Sequence, residues 1–119
     1  MKSKKVMLIT GATSGIGKAL AKFYYRKNYN LILTGSSQKK VDKLNNNFKK
    51  NTLCICADLT VPNDVKRIVK ESIFRFKKID ILIANAGLYE PDKILSGNPE
   101  RWDRVINLNV TSVFRLVNL

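Results

Sequence analysis

The sequence has 119 residues, 45% of them apolar, which suits one globular domain with its own core. Its formal net charge is +13, but the lysines are spread along the chain without interleaved aromatic residues, which favours a solvated basic surface over a nucleic-acid site. No run approaches the ~20 apolar residues of a membrane span, and two cysteines without any histidine argue against a metal site and for a reducing, cytoplasmic location.

Strand-like and helix-like segments alternate along the chain. Short apolar runs predict four strands, at residues 5–10, 30–34, 52–57 and 79–84. Helical spacing predicts an inner face for each of three intervening helices. These faces are formed by Ile16, Ala19, Leu20, Phe23 and the aliphatic stem of Lys27, then by Val41, Leu44 and Phe48, then by Val65, Ile68, Val69, Ser72, Ile73 and Phe76. A fourth helix, capped at Asn98 and running toward Leu119, has an inner face of Trp102, Val105, Ile106, Val110, Val113 and Val117.

This βαβαβαβα order predicts an α/β fold with a parallel sheet and helices on both of its faces. Right-handed crossovers then give the strand order 3-2-1-4, which is the first part of a Rossmann-type doubly wound sheet. No linker or repeat interrupts the pattern, so residues 1–119 are expected to form a single domain.

The first predicted strand leads into a glycine-rich turn with the sequence TGATSGIG, at residues 10–17. Glycines between a strand and a helix allow the backbone to approach a pyrophosphate, and the helix N-terminus offers free N–H groups to the anion. Thr13 and Ser14 add hydroxyl donors for a phosphate or a ribose. The spacing matches neither a Walker loop, which requires GxxxxGK[ST], nor the GxGxxG fingerprint.

Three further motifs follow in order: Asp58-Leu59 after the third strand, Asn85-Ala86-Gly87 after the fourth, and WDRVINLNVTSVFR at residues 102–115. Together with TGxxxGIG they resemble the short-chain dehydrogenase/reductase family, and especially its bacterial 3-oxoacyl-carrier-protein reductases. The resemblance extends from Lys5 to Leu119. It implies an NAD(P)(H)-dependent oxidoreductase that transfers hydride to or from a small carbonyl or alcohol substrate.

The resemblance also assigns roles to individual residues. Pyrophosphate and ribose contacts are implied for Gly11, Gly15, Ile16 and Gly17. Asp58 would accept a hydrogen bond from the adenine amino group, with the backbone of Leu59 beside it. The segment Asn85, Ala86 and Gly87 would line the cofactor cleft.

Asn109 is the one candidate catalytic residue. It falls in step with Val105 and Val113 on the predicted apolar face, where a buried amide needs internal partners. In the family the matching asparagine holds a water in a proton relay. A local helix distortion satisfied by backbone groups is the alternative.

The end of the second strand bears on the choice of cofactor. An acidic residue there would bond the adenosine 2′-hydroxyl and select NAD, but the chain has Thr34-Gly35-Ser36. The missing carboxylate, with Lys39 and Lys40 nearby, favours NADP. NAD remains possible, because the family's usual NADP-binding arginine is replaced by Ser36 and the basic residue before the second glycine by Ser14.

The family's catalytic serine and Tyr-x-x-x-Lys pair are expected beyond Leu119. The local match of Tyr89 and Lys93 is rejected, because Pro91 can occupy only the first turn of a helix and so leaves Tyr89 outside it. The chain is therefore expected to be a C-terminally truncated, cofactor-binding half that is inactive alone, and a homo-oligomer. A non-catalytic nucleotide-binding or regulatory module is the alternative function.

Overall fold

The framework of the fold is a parallel sheet whose four strands lie in the order β3-β2-β1-β4. The computed structural model describes residues 4–87 and 97–119. Its strands are β1 (Val6–Ile9), β2 (Asn30–Gly35), β3 (Thr52–Cys56) and β4 (Ile81–Ile83). All three neighbouring pairs are parallel, so the predicted Rossmann-type topology is confirmed.

Helices cover both faces of the sheet. They are α1 (Gly15–Arg26), α2 (Gln38–Asn47), α3 (Pro62–Phe76), α4 (Pro99–Ile106) and α5 (Ser112–Asn118). One core cluster joins α1 and α2 to side chains such as Met7 and Leu31. The other joins α3 and α5 to Leu8 and Ile32, so alternate residues of each strand serve opposite cores.

Helix α1 packs on the sheet through a face that agrees with the predicted one only at Leu20, which is partly buried against the core. Its buried residues are Gly17 and Ala21, whereas the side chains of Ile16 and Phe23 are 72% and 53% exposed. The small residues allow the helix axis to approach the strands closely, and this selects the inward face. The inner faces predicted for α2 and α3 include buried residues, among them Val41 and Val65, but Ile73, predicted on the inner face of α3, is 42% exposed.

The last predicted helix is interrupted. A π-helical turn at Asn107–Thr111 separates α4 from α5. The N–H of Ser112 bonds the carbonyl of Asn107, five residues back, and its hydroxyl bonds the carbonyl of Leu108. Ser112 and Leu116 are the buried positions of this segment.

The predicted apolar face of the last segment is therefore wrong at several positions. Ile106, Val110 and Val117 are exposed, and so is Asn109, which was expected on a buried face. The segment packs instead through Leu108 and Leu116, which belong to the core cluster shared with α3.

Three further observations concern Cys54, the length of the helices and the Tyr89–Lys93 pair. Burial raises the pKa of the Cys54 thiol to about 11, so this side chain is a neutral filler of the α1–α2 core. Within residues 4–87 and 97–119, no helix is long and apolar enough to cross a bilayer. The rejected pair Tyr89 and Lys93 lies outside the described residues.

Candidate functional site

An open cleft of about 440 Å³ lies where the carboxyl ends of the strands meet, the edge at which doubly wound sheets bind ligands. Nine of the predicted site residues line it: Gly11, Thr13, Ser14, Ser36, Asp58, Leu59, Asn85, Ala86 and Gly87. Thr34 and Gly35, considered above for the choice of cofactor, line it too. Four lining residues had no predicted role: Ala57, Thr60, Arg104 and Leu108. The predicted residues Gly15, Ile16, Gly17 and Asn109 are not among the lining residues.

The glycines of the turn after β1 have different structural roles. Gly11 and Gly15 have positive φ angles of 65° and 58°, which glycine adopts without strain. A Cβ on Gly17 would lie 2.2 Å from the carbonyl oxygen of Gly11, so Gly17 is required by packing inside the chain. A Cβ on Gly15 would meet nothing within 4 Å, so Gly15 is favoured by its backbone angle and not by packing.

The turn is tied to the end of β4 by a set of hydrogen bonds. The side-chain amide of Asn85 donates to the Gly11 carbonyl at 3.1 Å. The buried hydroxyl of Thr10 accepts the backbone N–H groups of Asn85 and Ala86 at 3.1 and 3.0 Å. Thr10 thus joins the two strand ends that flank the cleft. Thr10 belongs to the predicted TGATSGIG motif, but no separate role was expected for it.

The N-terminus of α1 is open on the side of the turn. Ser14 is the N-cap residue, but its side chain makes no capping hydrogen bond. The hydroxyl of Ser14 and the first N–H groups of the helix therefore remain available to an anion. The first turn of α1 contains no acidic residue that would repel one.

The end of β2 leaves little room next to the turn. A Cβ on Gly35 would lie 2.4 Å from the methyl carbon of Thr13, so no larger residue fits at Gly35 without movement. Ser36, the next residue, is exposed and lines the cleft. The hydroxyl of Ser37 accepts the N–H of Lys40 and caps α2.

Asp58 marks the other side of the cleft, at the end of β3. One of its carboxylate oxygens, Oδ1, accepts the N–H and the hydroxyl of Thr60 at 2.9 and 2.6 Å. In residues 4–87 and 97–119, no hydrogen bond is directed at the second oxygen, Oδ2. The side chain is thus held by one oxygen and presents the other.

Asn109 lies in the π-helical turn, near the last of the predicted cleft residues. A Cβ on Gly87 would lie 3.4 Å from Oδ1 of Asn109, so the amide is next to the Asn85-Ala86-Gly87 segment. The local distortion that the sequence left open as an alternative is present. Within the described part of the chain, no group of three His, Cys, Asp or Glu residues could hold a metal ion.

The chain is similar to a known protein family and to several curated proteins. A family model described as short chain dehydrogenase matches residues 5–119. The 3-oxoacyl-[acyl-carrier-protein] reductase FabG of Buchnera aphidicola is 34% identical over 113 residues, which are 94% of this chain and 46% of that protein. The FabG protein of Escherichia coli is 29% identical over 112 residues. The chain spans about half the length of the curated relatives that it matches.

A solved structure gives the same result. A 3-ketoacyl-(acyl-carrier-protein) reductase of Brucella melitensis, crystallised in complex with NADH, superposes with a TM-score of 0.89 and 30% identity. The alignment covers 96% of this chain and 48% of that protein. The superposition therefore agrees with the observed fold of the four-stranded sheet.

Proposed function

The chain belongs to the short-chain dehydrogenase family, and we propose that its cleft binds a nicotinamide adenine dinucleotide, with NADP(H) preferred over NAD(H). The observation that carries the proposal is the N-terminus of α1 beside the cleft, where the cap residue Ser14 lines the cleft and makes no side-chain hydrogen bond. A pyrophosphate placed there would receive N–H donors and the positive end of the helix dipole.

The ends of the cleft suit the rest of such a dinucleotide. Asp58 presents Oδ2 as an acceptor for the adenine amino group, and Leu59 lies beside it in the cleft lining. Ala86 and Gly87 line the opposite end, where the nicotinamide would lie. When bound, the cofactor would supply a hydride donor or acceptor. The residues of this chain would hold and orient it.

The preference for NADP rests on charge. In the described ranges, Ser36 is the cleft-lining residue that follows Gly35, and no carboxylate occupies this corner. Lys39 and Lys40 are exposed on the first turn of α2, which contains no acidic residue. A 2′-phosphate here would meet positive charge, whereas a carboxylate would repel it.

A fluorescence titration with NADPH and with NADH tests this proposal. We expect saturable binding that is tighter for NADPH. The Ser36→Asp variant should weaken NADPH binding at least about tenfold and NADH binding less, because a carboxylate would face the 2′-phosphate. Asn46→Asp, an equal charge change at an exposed position of α2, is the control. Tighter binding of NADH by the unaltered chain would overturn the preference, and no binding of either would overturn the function.

The reaction of the whole protein would be hydride transfer to or from a carbonyl or alcohol. Asn109 is the member of the proton relay that this chain would contribute, by orienting a water near Gly87. Tyr89 and Lys93 form the sequence's one Tyr-x-x-x-Lys spacing, and Pro91 between them argues against a catalytic role. We therefore propose that the 119 residues alone bind the cofactor without turnover.

A homo-oligomer would cover an apolar stripe along α4, the π-helical turn and α5. Ile106, Val110, Phe114 and Val117 are separated by three or four residues and are 56%, 47%, 72% and 69% exposed. Exposed apolar side chains in one continuous stripe are typical of contact surfaces between subunits. A second copy of the chain, paired through the same stripe, would bury both.

A further inference from the structure

Asp64 lies outside the cleft, on the first turn of α3, but it holds a residue of the cleft. Its carboxylate oxygen Oδ2 accepts the backbone N–H of Asp58 at 2.8 Å. Hydrogen bonds from a backbone N–H to an ionised carboxylate are stronger than those between neutral groups. The bond therefore attaches the end of β3 to the helix that follows it.

Arg67, one turn later on α3, reinforces this attachment. Its guanidinium donates to the carbonyl of Cys56 at 2.6 Å and lies 4.0 Å from Oδ1 of Asp64. On the other side, the N–H of Ala57 bonds the carbonyl of Gly35 at 2.9 Å. The three residues from Cys56 to Asp58 are thus held between α3 and β2.

This attachment determines where the Asp58 carboxylate points. Thr60 binds Oδ1 of Asp58, and the carbonyl of Asp58 accepts the N–H of Val61 at 3.0 Å. With Oδ1 engaged and the backbone fixed at both its N–H and its carbonyl, the direction of Oδ2 depends on the backbone position at Asp58. Asp64 helps to fix this backbone position, because it accepts the N–H of Asp58.

We propose that Asp64 is a positioning residue for adenine recognition, acting through the backbone of Asp58 rather than by touching the cofactor. The inference rests on the proposed function, since it needs a dinucleotide whose adenine amino group meets Asp58. A purely structural role is the competing explanation, because an acidic residue in the first turn stabilises any helix. The two explanations differ in what they predict for the base.

The test compares two ligands, the reduced dinucleotide that the chain binds more tightly and its hypoxanthine analogue. Hypoxanthine has a carbonyl in place of the amino group. It therefore lacks the amino N–H from which Asp58 would accept a hydrogen bond. For the unaltered chain we expect adenine to be preferred about tenfold, the worth of one hydrogen bond to a charged group. In Asp64→Ala the preference should fall to about threefold or less.

Two variants serve as references. Glu71→Ala removes the other carboxylate that pairs with Arg67, at 3.8 Å, and should leave the preference unchanged. Asp64→Asn keeps an acceptor oxygen for the Asp58 N–H and should retain most of the preference. If Asp64→Ala does not fold, Arg67→Ala is the substitute. It removes the hydrogen bond to the Cys56 carbonyl, keeps the carboxylates of Asp64 and Glu71, and should lower the preference for adenine.

The outcomes separate the two proposals. If the unaltered chain binds neither dinucleotide, the proposed function fails and the inference falls with it. If it binds but does not distinguish the bases, or if folded Asp64→Ala distinguishes them as well as Glu71→Ala does, only the inference is overturned. Equal weakening of both ligands in Asp64→Ala would show that Asp64 is structural.

Discussion

Replacing Gly17 by alanine should destabilise the chain far more than the same change at Gly15. The added methyl at Gly17 would lie 2.2 Å from the Gly11 carbonyl oxygen and 2.5 Å from the side-chain nitrogen of Asn85. Backbone must move and the 3.1 Å bond between Asn85 and Gly11 is lost. Overpacking costs about 1–3 kcal/mol and the hydrogen bond about 1 kcal/mol, so we expect about 2–4 kcal/mol.

Gly15→Ala is the matched comparison. The methyl group would enter open space, so only the positive φ of 58° opposes it. A left-handed alanine costs about 1–2 kcal/mol, part of which is offset by the lower entropy of the unfolded chain.

Thermal unfolding followed by circular dichroism would measure the difference. For a domain of this size about 4 °C is lost per kcal/mol, so Tm should fall by about 8–16 °C for Gly17→Ala and by about 4 °C for Gly15→Ala. Midpoints within about 2 °C of each other would refute the packing argument.

Two further predictions concern the sheet edge and the helix surface. The backbone N–H of Val6 and then Lys78 lower the pKa of Asp80, so its contribution to stability is complete above the ordinary Asp pKa of 3.8 and is lost as pH falls through the lower folded value. Asp80→Asn should therefore lower Tm at pH 7, and the difference from the unaltered chain should shrink below pH 3.8; a constant difference would contradict this. Light scattering should show a dimer or larger species that Phe114→Asp converts to monomers, whereas an unaltered chain that is already monomeric would contradict the proposed contact.

The strand order could be predicted because it depends on local patterns and general rules. Four short apolar runs, each followed by a helical segment, permit few arrangements once crossovers are right-handed. The inner faces of the helices were harder to predict. In α1 the small residues Gly17 and Ala21 face the sheet, whereas the spacing of large apolar residues favours Ile16 and Phe23, which are exposed.

The prediction of the inner face of the last helical segment was wrong for a related reason. A helical pattern assumes 3.6 residues per turn, and the π-helical turn at Asn107–Thr111 breaks that spacing. The hydroxyl of Ser112 accommodates the break by bonding the Leu108 carbonyl, four residues earlier. No propensity in the sequence distinguishes this serine from one in a regular helix, such as Ser72, whose hydroxyl also bonds a carbonyl four residues earlier.

The residues that support the site were missed because their partners are distant or indirect. The hydroxyl of Thr10 accepts the N–H groups of Asn85 and Ala86, which follow it by 75 and 76 positions. Only the folded sheet creates this contact. Asp64 is six residues from Asp58, and in the sequence it is visible only as an acidic residue in the first turn of the following helix. That signal has an ordinary explanation as a helix stabiliser, so it indicated nothing about the cleft.

The geometry at the end of β2 limits how this chain can choose between cofactors. Thr13 packs against Gly35 so closely that a side chain at Gly35 would collide with its methyl group. A carboxylate that selects the 2′-hydroxyl therefore has no room at Gly35, and the choice passes to Ser36 and the exposed lysines of α2. A serine neither repels a phosphate nor binds it as a charge would. The proposed preference for NADP(H) over NAD(H) should then come mainly from Lys39 and Lys40, and it should weaken as added salt screens their charges.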